Sequence, residues 1–181
     1  MRRSHLLAMS RFIAVAVAAA VVAAVVAASA SAAEPGLIGM IVPPYPDGLK
    51  SNTGSCVGSG SEPGQVCARS IATLDDAEDR TLKLLAAEFV DRLGDEPRWR
   101  ITDAVPYPLL RRDELVVIAT CQRDGVDDAG LIAIIDTGAA HAAELEMLPA
   151  TRWAMRLDRT SGKFIRVAPG HVRCYNEGAN E

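Results

Sequence analysis

The sequence has no cysteines in C-x-x-C spacing, no excess of basic charge and only three histidines. Each lack removes a class of function. Structural zinc sites draw on closely spaced Cys and His ligands. Here Cys56, Cys67, Cys121 and Cys174 are 11, 54 and 53 positions apart, so no metal site is expected. Acidic residues outnumber basic ones by 23 to 19. That balance argues against nucleic acid and against anionic lipid headgroups as partners. His141 and Glu144 stand three apart, but no third ligand accompanies them, and His171 reads as a turn histidine beside Pro169-Gly170. No internal repeat and no alternation of β and α segments is present, and no cofactor is expected.

What is present begins with an address. Arg2, Arg3 and Arg11 precede an uncharged Ala/Val stretch from Phe12 to Ala28, and small residues follow to Ala33. Positive, apolar, then small is the order of a secretory signal peptide. Ala30-Ser31-Ala32 is the preferred cleavage signal, with Ala28-Ser29-Ala30 as the neighbouring one, so residues 1–32 are expected to leave and 33–181 to remain. The alternative is a membrane anchor that is never cleaved. The uncharged run to Ala33 at about 1.5 Å per residue reaches roughly 30 Å. The alanine-rich run and its small-residue end favour cleavage. Loss of the three arginines takes the net charge from −4 to −7. The remaining chain has the length of one domain. Its four cysteines, even in number and exported, read as disulfides. Cys56–Cys67 is the local pairing, and Cys121–Cys174 joins two predicted strands. A secreted or periplasmic protein without a membrane segment after cleavage is the expectation.

Periodicity supplies the expected fold. Asp75 to Leu93 reads as an amphipathic helix, with Leu82, Leu85, Phe89 and Leu93 at helical spacing. Asp75 and Glu78 fit a capping box, and Gly94 fits a left-handed stop. Asp76–Arg80, Asp79–Lys83 and Glu88–Arg92 have the spacing of helical ion pairs. Ala139 to Leu148 reads as a short helix ended by Pro149. Trp99–Val105, Leu115–Cys121, Leu131–Ile135, Trp153–Leu157, Lys163–Val167 and His171–Tyr175 read as strands, and Leu37–Val42 as a short one. Arg123-Asp124-Gly125 and Asp158 to Gly162 read as turns. Together these predict an α+β domain, one helix packed on an antiparallel sheet of five or six strands.

Three segments bear on chemistry. Leu131-Ile132-Ala133-Ile134-Ile135-Asp136-Thr137-Gly138-Ala139 resembles the active-site strand and turn of retroviral-type aspartic proteases. The resemblance covers about nine residues and implies that Asp136 pairs with a second aspartate to activate water. Only 43 residues follow Gly138, and the second apolar-Gly motif of that family is missing. The same segment also reads as a buried strand ending in a turn. Gly54-Ser55-Cys56-Val57-Gly58 has the spacing of a nucleophile elbow, yet lacks the flanking strand and helix, and a disulfide accounts for Cys56. Between Cys56 and Cys67 lies a Gly/Ser/Pro-rich stretch. Ser59, Ser61, Glu62 and Pro63 are candidate contact residues there, because a bridge at the base holds them out as a projection. The composition therefore points to a binding protein of inhibitor, immunity or accessory type, with an envelope or extracellular protein as partner. The alternative is a small secreted hydrolase using Asp136.

Overall fold

The computed structural model describes residues 36–62 and 64–177. The expected signal segment 1–32, its cleavage sites and Pro63 lie outside the described residues. Among the described residues fourteen strands follow one another. They are β1 (Ile41–Val42), β2 (Leu49–Lys50), β3 (Gly54–Val57), β4 (Arg69–Asp76) and β5 (Thr81–Leu93). Next come β6 (Glu96–Pro106), β7 (Glu114–Ile118), β8 (Cys121–Arg123), β9 (Val126–Asp127) and β10 (Leu131–Asp136). The last are β11 (Met147–Pro149), β12 (Ala154–Asp158), β13 (Lys163–Arg166) and β14 (Val172–Tyr175). Among the described residues the only helical pieces are single 3-10 turns at Ala142–Glu144 and Pro169–His171.

The strands form three antiparallel sheets. The first has the order β1-β6-β5-β4-β2, with β3 also pairing β4. The second is β13-β12-β10-β7 and the third β11-β14-β8-β9. They pack as layers. Ile71, Leu84 and Ala86 of the first sheet meet Ile132, Leu157, Met155 and Phe164 of the second. The other face of the second sheet presents Leu131, Ala133 and Ile135 to Leu148, Val172, Cys121 and Cys174 of the third. Strand β10 is thus covered on both sides, and Leu131 through Ile135 are each 0% exposed. Burial on both faces is the physical reason for its unbroken apolar run.

The fold corrects the α+β expectation. Among the described residues no amphipathic helix packs on a sheet, and Asp75 to Leu93 is the end of β4, a turn and β5. The proposed helical stripe is not the buried face, for Leu82, Phe89 and Leu93 are all exposed. Consecutive Leu84, Leu85, Ala86 and Ala87 are buried instead. Leu84 and Ala86 face the second sheet, while Leu85 faces the opposite cluster with Leu74, Ile101 and Ala104. Bulges at Ala86/Ala87 and Phe89/Asp91 also reset the alternation. Two buried faces and two bulges turn a period of two into an apparent helical one.

The acidic cluster read as a helix cap builds the hairpin turn. Asp76 Oδ1 accepts the amides of Glu78 and Arg80 at 3.0 and 2.9 Å, and Asp79 takes a left-handed φ of 63°. Arg80 does pair with Asp76, across that turn. Asp79 pairs with Lys50 and Glu88 with Arg100, in place of the helical partners expected. Gly94, with φ +64°, is the first residue of the two-residue turn joining β5 to β6, where a type II′ turn places glycine. The second expected helix is corrected too. His141 at φ 63° precedes only one 3-10 turn, and Pro149 lies in β11, an edge strand that tolerates a missing donor.

Local turn chemistry agrees with the sequence. Asp124 and Gly125, at φ 52° and 81°, form the two-residue turn from β8 to β9. Both φ values are positive, as a type I′ hairpin turn requires. Asp158 accepts the Ser161 hydroxyl at 2.6 Å and opens the β12–β13 hairpin. Two disulfides are present, Cys56–Cys67 and Cys121–Cys174. Cys121 and Cys174 face each other across β8 and β14 and are buried.

Candidate functional site

The segment between Cys56 and Cys67 leaves the end of β3 and returns just before β4. Ser59, Ser61 and Glu62 are exposed. The loop closes on itself: Ser59 N donates to Gln65 O at 2.8 Å, and the amides of Gln65 and Val66 donate to Glu62 O at 2.7 and 3.1 Å. Val66 is 56% exposed beside these polar groups, an apolar side chain that composition alone did not single out.

Arg159, from the β12–β13 turn, reaches this loop. Its Nε donates to Gly58 O at 2.7 Å, and one of its terminal nitrogens donates to Asp128 Oδ1 at 2.7 Å. Asp128 also receives Arg156 at 2.7 Å and the Gly130 amide at 2.9 Å. Burial raises the Asp128 pKa, but Arg159, the Gly130 amide and Arg156 outweigh it and leave the carboxyl below its ordinary value. Arg69 Nε in turn donates to Arg159 O at 2.6 Å. The loop is therefore fixed at its base by sulfur and on its flank by a charged network spanning the first two sheets.

Asp136 ends β10 and accepts the Gly138 amide at 2.9 Å, an Asx turn. The residue opposite it in β7 is Glu114. Arg152 holds that carboxylate through both oxygens, at 3.0 and 2.8 Å, and the Arg111 amide adds a bond at 2.8 Å. Arg152 first, and then Arg111, bring the Glu114 pKa down to about 2. Arg152 occupies both oxygens of that carboxylate, so Glu114 is not free to share a proton with Asp136 as a dyad partner does. His141 and Glu144 are 3.4 Å apart and both well exposed. His171 contacts Asp124 at 2.7 Å on the surface. Among the described residues no group of three or more His, Cys, Asp and Glu has the arrangement to hold a metal ion.

The structure adds a pocket that sequence reasoning missed. It lies on the face of the first sheet turned away from the second, with a volume of about 260 Å³. Its floor is a patch of small residues in register. Gly54 faces Ala72, Cys56 faces Ser70, and Ser70 faces Ala87. Leu85, Trp99 and Ile101, with Val42 beside Trp99 and with Tyr45, complete the apolar lining. Burial pushes the Tyr45 phenol above its ordinary value; Ser51 opposes this by hydrogen bonding, and Asp75 and Glu96 reinforce it. The signal was small residues within apolar strands, but only the register brings them together.

No family model matches the chain, and comparison with curated proteins and with solved structures gives no match either. Among the described residues, no helix is long and apolar enough to cross a membrane.

Proposed function

We propose that the protein is an exported binding protein of inhibitor, immunity or accessory type, which engages an envelope or extracellular protein through the Cys56–Cys67 loop. One observation carries this reading: the loop is exposed, yet fixed both by its disulfide and by Arg159 on Gly58 O. A segment ordered before contact loses less conformational entropy on binding. Ser59, Ser61 and Glu62 supply hydrogen-bonding groups at the tip and Val66 an apolar one. Two disulfides accord with an oxidising compartment. Asp136 is occupied by its own turn, so hydrolysis there has no observation in its favour.

The test is capture from envelope and medium fractions by the tagged full chain and by a variant carrying Ser59→Ala, Ser61→Ala and Glu62→Ala. The variant should melt at the same temperature and lose the partner. A partner retained undiminished by the variant refutes the loop as the contact.

A further inference from the structure

On the face of the first sheet away from the second, beside the apolar cluster of Val42, Leu74, Leu85 and Ile101, small residues stand together at one place. There Gly54, Ala72, Ser70 and Ala87, from three neighbouring strands, sit side by side. Their small side chains leave an open pocket of about 260 Å³ above the strands, with Gly54 and Cys56 exposed on its β3 side. We propose that it is a binding site for a small neutral ring compound with one hydrogen-bonding group.

Size, lining and polarity define that class. An apolar cavity of about 150 Å³ accepts benzene. At about 260 Å³ the pocket takes one or two rings and is too small for a whole long acyl chain. Trp99 and Tyr45 offer ring faces and edges for aromatic packing. Among the described residues no charged side chain lines the pocket, so a charged ligand would lose its hydration without a partner there. Tyr45, Ser51 and Ser70 supply the few polar anchors that orient a ligand in an otherwise apolar site. The site is independent of the loop reading, although Cys56 belongs to both.

The test uses the full chain and 2-naphthol, a neutral two-ring alcohol, as the probe. Binding is read by calorimetry and by the shift of Trp99 signals in amide and indole spectra. Saturable one-to-one binding is expected. Ala72→Leu, which fills the floor, should weaken it by about tenfold or more, as added bulk in a packed space does. Arg80→Ala, at an exposed turn, should leave it unchanged. The anion 2-naphthoate should bind more weakly than 2-naphthol. If Ala72→Leu does not fold, spectra of the unmutated chain decide: shifts confined to Ala72, Ala87 and Trp99 support the site, and shifts elsewhere overturn it. Equal affinity for naphthoate, unsaturable binding, or a dimer in which a second copy covers the pocket and naphthol does not bind would each overturn it. Loss of partner capture by the loop variant with naphthol binding intact would leave this inference standing.

Discussion

Glu114 of β7 and Arg152, just before β12, form a two-point ion pair, with Nε 3.0 Å from one carboxylate oxygen and a terminal nitrogen 2.8 Å from the other. The Glu114 side chain is almost wholly covered, at 5% exposure, and Arg152 is part-covered. The pair ties the strand opposite Asp136 to the chain entering the second sheet's β12.

This pair sets an acid limit on stability. The Glu114 carboxyl titrates at about 2 in the folded chain against a value of 4.5 without its partners. A depressed folded value means that the contribution is complete above about pH 4.5 and fades as pH falls toward 2. Melting temperature followed downward through this window should drop. Glu114→Gln should melt lower at neutral pH and show a shallower acid slope. An unaltered slope in that variant would place the acid sensitivity elsewhere.

The layers make a second prediction. Leu84 is 0% exposed between the first and second sheets, whereas Leu82, two residues earlier, is 41% exposed. Leu84→Ala should cost about 2–5 kcal/mol, the range for emptying a packed core site. Leu82→Ala should cost less than about 1 kcal/mol. Phe89 is 42% exposed and stacks edge-on against Trp99 at 5.7 Å, so Phe89→Ala should fall between the two. Urea denaturation checks the order. Equal losses at Leu82 and Leu84 would restore the helical face that the strand assignment replaces.

The same residues show what was legible. Leu131–Asp136, the β12–β13 hairpin and the Asp124-Gly125 turn are local features, stated by β-branched runs and turn residues. β5 was not legible, because its two buried faces and two bulges erase the alternation that marks a strand. The acidic turn before it carries the residues of a helix cap, since Asp satisfies free amides in either setting. The bridged loop was legible because Cys56 and Cys67 enclose it in sequence. The pocket was not, because Gly54, Ser70, Ala72 and Ala87 become neighbours only through the register of three strands.

The bridges differ in what they close. Cys121–Cys174 closes 53 positions and Cys56–Cys67 closes 11. Loop entropy alone gives about 4 kcal/mol for the first and about 3 kcal/mol for the second. Replacing Cys121 and Cys174 by Ala should therefore lower stability more than replacing Cys56 and Cys67. It also empties part of the core between the second and third sheets, where both residues are buried. Chemical denaturation of the two double variants gives the comparison. A larger loss at Cys56–Cys67 would mean that the loop bridge, not the sheet bridge, holds the fold.

Arg159 separates the order of the loop from the stability of the domain. It donates to Gly58 O, it pairs with Asp128, and its own carbonyl accepts Arg69. Arg159→Ala removes the first two contacts and keeps the third, which is main chain. Asp128 retains Arg156 and the Gly130 amide, so its charge is not stranded. The expected loss of global stability is about 1.5–3 kcal/mol, the range for a hydrogen bond to a charged group. The loop should respond more sharply than the domain. With the Cys56–Cys67 bridge intact, amide exchange at Ser59, Gln65 and Val66 should quicken, because their bonds close only within the loop. Arg159→Lys should fail to restore slow exchange, since a single ammonium lacks the planar fork that spans Gly58 O and Asp128 together. Exchange measured residue by residue reads both variants. Unchanged exchange in Arg159→Ala would show that the disulfide alone orders the loop, and the charged network would then serve only to join the two sheets.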